Sequence, residues 1–372
     1  MNLPSPWPLQ WRWSPAVSRS RARLVRDPRW LLLVLVCACS SCVTTFDPGR
    51  TSRFEYQQPQ MGLPFRIVLY ATNQPSADAA AAAAFKRIEA LNGIMSDYDT
   101  DSELSRLSRT SGEGREVPVS EDLWRVLARA QDLAQRSDGA FDVTVGPCVN
   151  LWRRARREKQ LPDPARLTAA RRAVGYRHVR LNRERHAVEL LVPDMRLDLG
   201  GIAKGFAVDE ALAVLGGHGI RSALVSGGGD LAVSDAPPGR KGWRIELAPL
   251  DATNAPPARF VLLSHAALAT SGDLFQRLEI DGKRYSHIVD PRTGVGLTDH
   301  SLVTVIAPDC ITADSLTKVV SVLGPGAGLR FLRQTPEVST RVVRQPATTI
   351  EQHESKGFSR YYDRTPNPQT DR

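Results

Sequence analysis

The sequence predicts an α+β domain in which mixed or antiparallel sheets pack against helices. Short apolar stretches, several with alternating apolar and polar residues, recur along the chain, and only a few segments have helical periodicity. Strands and helices do not alternate regularly, as they would in a doubly wound parallel sheet. The chain of 372 residues is long enough for one large domain or two tightly associated ones.

The N-terminal segment predicts export. Arginines precede the apolar run at residues 30–36, which is far shorter than the roughly 20 residues that a membrane-spanning helix needs. The tetrapeptide VCAC resembles a bacterial lipobox with Cys39 as the lipidated first residue of the mature chain, and the alternatives are Cys42 or an ordinary signal peptide. We expect a lipoprotein-type signal peptide at residues 1–38, a polar tether at residues 39–56, and a lipid anchor on the periplasmic or outer face of a bacterial membrane.

The charge distribution gives no indication of nucleic-acid binding. Residues 1–38 carry six arginines and one aspartate, so their removal lowers the formal net charge from +9 to +4. The one dense basic run, residues 153–157, has no interleaved aromatic residues and is predicted to be solvated. Beyond the N-terminal segment the cysteines are Cys148 and Cys310, both in apolar surroundings, which predicts buried free thiols rather than a disulfide framework.

Periodicity and composition place the predicted elements in order. Strands are predicted at residues 64–70, 196–199, 222–226, 243–247, 260–263, 284–289 and 302–306. Helices are predicted at residues 76–94, 121–136, 203–215 and 313–323. Residues 346–372 are polar and contain prolines, which predicts a loosely ordered tail, so the domain is expected to span residues 57–345.

The stretch DLGGIAKG, residues 198–205, has residue types that suit a phosphate ligand. Gly200 and Gly201 lie between a predicted strand and a predicted helix, and Lys204 lies in the first helical turn. Exposed N–H groups and the helix dipole favour an anion there. The stretch matches neither the Walker A loop nor the dinucleotide fingerprint, and such glycines also serve close packing.

The predicted helix at residues 313–323 carries oxygen ligands of the kind that Mg²⁺ accepts. Asp314, Thr317 and Lys318 are three and four residues apart, so they share one helix face. A carboxylate and a hydroxyl at a helix edge can bind Mg²⁺ beside phosphate oxygens and water. Alternatively, Asp314 only stabilises the first turn of the helix.

Three turns gather further polar groups. GAFDVT, residues 139–144, is either the lip of a pocket or a buried aromatic residue beside a turn-capping carboxylate. SGGGD, residues 226–230, favours a tight turn over an anion nest. RYSHIVDPRTGVG, residues 284–296, places His287 before a turn in which a proline presets φ and Gly294 permits a positive φ.

Taken in order along the chain, these motifs resemble the FAD:protein FMN transferases, the ApbE family. The matching stretches are MG at 61–62, MSDY at 95–98, SELSRL at 102–107, GAFDVT at 139–144, residues 198–209, GGD at 228–230, ATSGD at 269–273, HIVDPRTG at 287–294 and AD at 313–314. They cover nearly the whole expected domain. The resemblance implies an ApbE-like fold, related to the T-fold, that forms a single catalytic unit.

The resemblance also implies an activity. It implies transfer of FMN from FAD to a threonine or serine hydroxyl of a target protein, with formation of a phosphoester and release of AMP in the presence of Mg²⁺. His287 would be needed for activity, because it takes the hydroxyl proton or orients the acceptor. The residues that the resemblance places in the FAD site are Met61, Tyr98, Ala140, Phe141, Asp142, Asp198, Lys204 and Ile288.

The implied metal site is where the sequence departs from the family. Gly201 would offer a carbonyl group and Asp314 a carboxylate, but the family usually has a threonine where this chain has Lys318. An ammonium group cannot ligate Mg²⁺. Either Lys318 supplies positive charge within the site, or it extends to solvent and Thr317 binds the metal. Two other functions fit the same residues, namely an FAD pyrophosphatase and a lipoprotein that binds FAD without chemistry.

Overall fold

The computed structural model describes residues 51–250, 258–272 and 277–365. The helices in these ranges are α1 (Gln74–Met95), α2 (Glu103–Ser108), α3 (Glu121–Arg136), α4 (Gly146–Glu158), α5 (Pro164–Arg172), α6 (Ala203–Gly217) and α7 (Cys310–Leu332), with short 3-10 turns at Tyr176–His178 and Phe358–Tyr361. The strands are β1 (Ser52–Gln60), β2 (Leu63–Ala71), β3 (Val117–Pro118), β4 (Val179–Asn182), β5 (Ala187–Leu190), β6 (Ala223–Gly227), β7 (Asp230–Val233), β8 (Trp243–Glu246), β9 (Phe260–Leu263), β10 (Ala266–Gly272), β11 (Arg277–Ile280), β12 (Lys283–Ser286), β13 (Val289–Asp290), β14 (Val295–Gly296), β15 (Ser301–Ala307), β16 (Ser339–Arg344) and β17 (Glu351–Glu354).

An eight-stranded sheet forms the frame, in the order β1-β2-β6-β7-β10-β15-β16-β17, and neighbouring strands run antiparallel. Successive side chains of a strand point to opposite faces. Phe65 and Ile67 of β2 therefore contact one core, whereas Val68 contacts another on the opposite face. A three-stranded sheet, β3-β5-β4, and three hairpins complete the strands described. The predicted α+β class with antiparallel sheets is confirmed.

Helices α1, α6 and α7 cover one face of the large sheet and share a core with β2, β6, β10 and β15. Full burial of a leucine or isoleucine side chain stabilises a fold by about 1.5–3 kcal/mol, so this layer holds the three helices against the sheet. Helices α6 and α7 approach very closely, because a Cβ atom at Gly205 would lie 2.3 Å from the carbonyl oxygen of Cys310. The first turns of α6 and α7 therefore lie side by side.

The helix predicted at residues 121–136 is present with those bounds as α3. Ser120 caps it, because its hydroxyl accepts a hydrogen bond from the Leu123 N–H at 3.3 Å. The buried residues of α3 recur at helical spacing along one face. The predicted buried free thiols, Cys148 and Cys310, are also confirmed. Within the described ranges no helix combines the length and apolarity needed to cross a membrane.

The predicted tether is wrong over residues 52–56, which belong to β1. This strand pairs with β2 along its whole length, from Ser52 opposite Ala71 to Gln60 opposite Leu63. Most of its side chains are exposed, since β1 is an edge strand, so the sequence shows no apolar alternation. Residues 39–50 of the predicted tether, and the predicted signal peptide with Cys39, lie outside the described residues.

The predicted loosely ordered tail is wrong up to residue 365. Strand β17 pairs with β16, and the 3-10 turn that follows places Phe358 at 0% exposure. The Phe358 ring belongs to the core on the sheet face opposite the helices, with Trp243 and Val261. A single aromatic residue within residues 355–360 creates no apolar periodicity, so this anchor could not be predicted from the sequence. Residues 366–372 lie outside the described part.

The strand predicted at residues 196–199 and the helix predicted at residues 313–323 differ from the structure. Residues 196–199 form no strand beyond an isolated bridge between Val145 and Arg196, because the Leu197 and Asp198 N–H groups donate to Ser108 Oγ and the Val143 carbonyl. Helix α7 begins three residues before its predicted start, since Asp309 caps it through the Thr312 N–H at 2.9 Å. It is interrupted at Gly324, where φ is 71°.

Candidate functional site

A cluster of two lysines and two aspartates lies where α6, α7 and the β6–β7 hairpin meet. Lys204 Nζ lies 2.9 Å from Asp230 Oδ2 and 3.1 Å from Asp314 Oδ2. Lys318 Nζ contacts the other oxygen of Asp314 from one turn along the same helix. The Gly205 N–H also donates to Asp314 Oδ2, at 3.1 Å. Lys204 and Asp314, predicted separately from the sequence, are therefore direct partners.

Burial and opposite charges together fix the ionisation of this cluster. Burial alone would raise the pKa of Asp314, but Lys204 and Lys318 outweigh it and lower that pKa to about 2. Burial would likewise lower the pKa of Lys204, and Asp230 and Asp314 instead raise it above its ordinary value. Asp314 is therefore a carboxylate and Lys204 an ammonium group at neutral pH.

The glycine pair before α6 lies against the cluster and the aromatic residue of the GAFDVT turn. A Cβ atom at Gly201 would lie 3.3 Å from Lys318 Cγ and 3.3 Å from Phe141 Cε2. The Gly200 carbonyl oxygen accepts a hydrogen bond from Lys204 Nζ at 3.3 Å. Glycine at position 201 thus lets Phe141, the loop and Lys318 come together, as close-packing glycines do.

A second charged cluster lies at the start of the same loop. Arg153 of α4 donates to Asp97 and, at 2.9 Å, to Asp198 Oδ2. The guanidinium carbon lies 4.3 Å from the centre of the Tyr98 ring, whose residue is 77% exposed. Asp198 Oδ1 accepts from the Gly200 N–H at 2.8 Å, which links the two clusters through one loop. Burial, and then the nearby Asp97, raise the pKa of Asp198.

Asp142 holds its own turn together. Its Oδ1 accepts from the N–H and the hydroxyl of Thr144, at 2.9 and 2.7 Å, and its Oδ2 accepts from the Tyr176 N–H at 2.6 Å. Asp142, Ala140 and Phe141 are all buried. The structure therefore favours the turn-capping interpretation of Asp142. Phe141 is the residue of this motif that contacts the glycine loop, residues 198–204.

The turn that follows His287 is fixed by one aspartate. Arg292 donates to both oxygens of Asp290 at 2.9 Å, and the Gly294 N–H donates to the Asp290 carbonyl at 2.8 Å. The Gly294 carbonyl in turn accepts from Trp152 Nε1 at 2.8 Å. Trp152 precedes Arg153 on α4, so one helix positions both this turn and the second charged cluster.

His287 and Ile288 lie between β12 and β13, so the strand predicted at residues 284–289 is broken there. His287 is half-buried and Ile288 is buried, with the Ile288 N–H donating to Ser286 Oγ at 3.1 Å. Gly294 has a φ of 72°, as the turn chemistry predicts. Asp273 of the quoted ATSGD motif lies outside the described residues.

Met61 occupies the turn between β1 and β2, with a φ of 50°. The next strand begins at Leu63, and a Cβ atom at Gly228 would lie 2.5 Å from Leu63 Cδ1. The β1–β2 turn therefore lies against the turn of the β6–β7 hairpin, which leads into Asp230. SGGGD is a tight turn as predicted, with Gly228 and Gly229 at positive φ.

The residues of the implied metal site do not fit Mg²⁺ in this arrangement. Both oxygens of Asp314 contact ammonium groups. Thr317 is fully buried, and its hydroxyl donates to the Asp314 carbonyl of the preceding turn at 2.6 Å. Among the residues that the structure describes, no group of three or more His, Cys, Asp or Glu side chains is placed to hold a metal ion.

Arg153, Asp97 and the pairing of Asp230 with Lys204 were not predicted as site features from the sequence. Arg153 belongs to the basic run that was predicted to be solvated, and that prediction is wrong for this residue because two buried carboxylates pair with it. Helical periodicity cannot separate Arg153 from its exposed neighbour Arg154. Asp97 and Asp230 were quoted within motifs, but their partners lie far away in the sequence.

The fold and the two clusters define an α+β protein in which Lys204, in the first turn of α6, and Lys318 of α7 meet at Asp314, a site suited to a polyanionic ligand. The chain belongs to the ApbE family, whose family model matches residues 61–342. A Klebsiella pneumoniae FAD:protein FMN transferase is 31% identical over 308 residues, covering 81% of this chain and 87% of that protein. Its Treponema pallidum counterpart is 32% identical over 326 residues, covering 83% and 88%.

Solved structures agree with this assignment. The flavin transferase ApbE from Vibrio cholerae superposes with a TM-score of 0.75 at 28% identity, covering 84% of this chain and 100% of that one. The apo form of the Pseudomonas stutzeri flavinyl transferase ApbE gives the same TM-score at 26% identity, covering 84% and 97%. The predicted family and fold are therefore confirmed.

Proposed function

We propose that this chain is an FAD:protein FMN transferase. A threonine or serine hydroxyl of an acceptor protein attacks the FMN phosphorus of FAD. The new phosphorus–oxygen bond joins FMN to the acceptor, the diphosphate bond breaks, and AMP leaves with the electron pair. The single observation that carries the proposal is the convergence of Lys204, Asp314 and the glycine loop, which the family resemblance assigned to the FAD site and the adjoining metal site.

The two clusters suit the two ends of the FMN half of FAD. The exposed Tyr98 ring over Arg153 offers an aromatic face to the flavin. Lys204 and the N-terminus of α6 offer positive charge to the diphosphate. The glycine loop between Asp198 and Lys204 connects the two clusters, because Asp198 pairs with Arg153 and the Gly200 carbonyl accepts a hydrogen bond from Lys204. Catalysis of such a transfer rests mainly on positioning and charge neutralisation, which this arrangement supplies.

We assign the proton step to His287. Its imidazole would take the acceptor hydroxyl proton or orient the acceptor, since histidine titrates near neutral pH. Asp290 and Arg292 would act as positioning residues, because they hold the turn rather than reach out of it. In family members Mg²⁺ would neutralise diphosphate charge, but the residues present here do not fit it, so no step is assigned to a metal.

Substitution of His287 tests the site. We expect His287→Ala to keep FAD binding within about threefold and to lower FMN transfer at least about 100-fold, because general acid–base groups contribute on this order. FAD binding is measured by flavin fluorescence and transfer by intact-mass spectrometry of the acceptor. His218→Ala, at the exposed C-terminus of α6, is the matched control and should retain transfer. Full transfer by His287→Ala would remove His287 from the mechanism.

We also propose that the chain is exported and lipid-anchored through Cys39, on the strength of the VCAC motif alone. Cys39→Ser should move the protein from the membrane fraction to the soluble exported fraction. Cys42→Ser is the matched control and should leave fractionation unchanged. If only Cys42→Ser released the protein, the anchor would be at Cys42, and if neither did, the lipid-anchor proposal would be wrong.

A further inference from the structure

Lys318 lies inside the cluster of two lysines and two aspartates and not at its solvent edge. Its Nζ contacts Asp314, whose side chain is 0% exposed, while the Lys318 side chain is 17% exposed. The Lys318 stem lies along the glycine loop, because its Cγ and Cε atoms would be 3.3 and 3.6 Å from a Cβ atom at Gly201. These contacts exclude the interpretation in which Lys318 extends to solvent and leaves Asp314 open.

The charges of the cluster balance without a metal ion. Lys204 and Lys318 contribute two positive charges. Burial and Asp314 raise the pKa of Asp230, but as a carboxylate paired with Lys204 at 2.9 Å it contributes, with Asp314, two negative charges. A divalent cation would add two positive charges to a neutral group and would have to displace an ammonium from Asp314. Mg²⁺ needs open oxygen ligands in octahedral geometry, and Asp314 offers neither of its oxygens.

The Lys318 ammonium can act on a diphosphate in place of a cation. An ammonium group has three N–H donors, and its contact with Asp314 uses one. A lysine near a phosphate acts as a compact positive charge, which neutralises part of the negative charge of the phosphate without coordinating it as a metal ion does. Lys204, 20% exposed, also contacts Asp314, so a diphosphate at this site would meet the charge of two ammonium groups.

We propose that Lys318 is the built-in cation of the site, so this chain binds the diphosphate of FAD without Mg²⁺. The inference rests on the proposed function, because FAD is the ligand. It predicts that Lys318→Thr uncovers one oxygen of Asp314 and leaves the cluster with a net negative charge. The new threonine hydroxyl would lie four residues after Asp314, on the same face of α7. That variant should acquire a divalent-cation site that the parent lacks.

The test measures metal binding and FAD binding separately on the purified full chain. Mn²⁺ alone, followed by electron paramagnetic resonance, should not bind to the parent and should bind to Lys318→Thr. FAD affinity of the parent, followed by flavin fluorescence, should change less than about twofold between EDTA and excess Mg²⁺, whereas Lys318→Thr should gain about tenfold or more with Mg²⁺.

Two control variants separate charge from ligation. Lys318→Met keeps a long stem without charge or ligand, so it should lose FAD affinity in EDTA and recover less of it with Mg²⁺ than Lys318→Thr does. Lys86→Thr replaces an exposed lysine within α1 and should behave as the parent does. Circular dichroism of each variant establishes that it is folded, and the Met variant keeps the test informative if Lys318→Thr does not fold.

Two results would contradict the inference in different ways. Mn²⁺ binding to the parent, or an equal Mg²⁺ dependence of FAD affinity in parent and Lys318→Thr, would overturn the role of Lys318 and leave the proposed function intact. Failure of the parent to bind FAD in either condition would contradict both the inference and the proposed function.

Discussion

At the scale of single residues, Arg153 shows how one buried cation organises a binding surface. It pairs with Asp97 and Asp198, and its guanidinium group lies under the exposed Tyr98 ring. Removing one partner of a buried ion pair leaves an uncompensated charge, which costs about 3–5 kcal/mol. The Arg153 pairings therefore stabilise the loop that leads from Asp198 to Lys204.

We predict that Arg153→Met lowers the free energy of unfolding by about 3 kcal/mol and weakens FAD binding, because two carboxylates are left without their cation. Urea unfolding and flavin fluorescence measure the two effects. Arg154→Met is the matched control, since Arg154 makes an exposed pair with Glu158 and should change stability by less than about 0.5 kcal/mol. Equal effects of the two substitutions would contradict the assignment.

At the scale of elements, one aspartate joins the two helices that carry the lysines. Asp209 of α6 accepts hydrogen bonds from the first N–H groups of α7, those of Cys310 and Ile311, both at 2.8 Å. These N–H groups have no partner within their own helix. Asp209 thereby keeps the start of α7, and with it Asp314, in register with Lys204.

We predict that Asp209→Ala costs about 1–2 kcal/mol of stability, the loss typical of a helix cap. The change is measured by urea unfolding. Glu89→Ala, at an exposed position of α1, is the control and should stay within about 0.5 kcal/mol of the parent. A loss no larger than that of the control would show that Asp209 does not hold α7.

Asp209 also makes stability depend on pH. Burial raises its pKa to about 7, against the lowering effect of the two N–H groups. The folded protein then holds this proton more tightly than the unfolded chain, whose value is 3.8, so the stability contribution is present at low pH and is lost as pH rises through about 7. We expect Asp209→Asn to flatten this fall, which runs between about pH 4 and 7, in urea unfolding. An unchanged slope would contradict the assignment.

The elements also show what the sequence could and could not predict. Helix α3 was predicted with its bounds because an amphipathic face and a capping serine are both local signals. Strand β1 was missed because an exposed edge strand is defined by backbone pairing with β2, which leaves no apolar pattern. The Lys204–Asp314 pair could be placed only through the family motifs, since 110 residues separate the partners.

At the scale of the whole molecule, the two faces of the eight-stranded sheet are covered by different parts of the chain. Helices α1, α6 and α7 cover one face, and α6 and α7 carry the cluster of two lysines and two aspartates. The β8–β9 hairpin and the chain near Phe358 cover the opposite face. The segment that was predicted to be a loose tail therefore completes the second core. The position of this segment cannot be predicted from its polar composition, because it depends on the burial of one aromatic ring, that of Phe358.

We predict that Phe358→Ala lowers the free energy of unfolding by about 3–5 kcal/mol, because it removes a fully buried aromatic ring. Ile350→Ala, a substitution at a 49% exposed residue of the same segment, should change it by less than about 1 kcal/mol. Chemical unfolding measures both. Equal small losses would show that the C-terminal segment is dispensable to the fold.

The central claim is that this chain moves FMN from FAD onto a protein hydroxyl. The most direct test incubates the purified protein with FAD and an acceptor domain, and then quantifies AMP, free FMN and the mass of the acceptor in the same sample. We predict AMP in an amount equal to that of acceptor carrying one FMN, with no accumulation of free FMN. AMP matched by free FMN, with an acceptor of unchanged mass, would identify water as the nucleophile and contradict the claim.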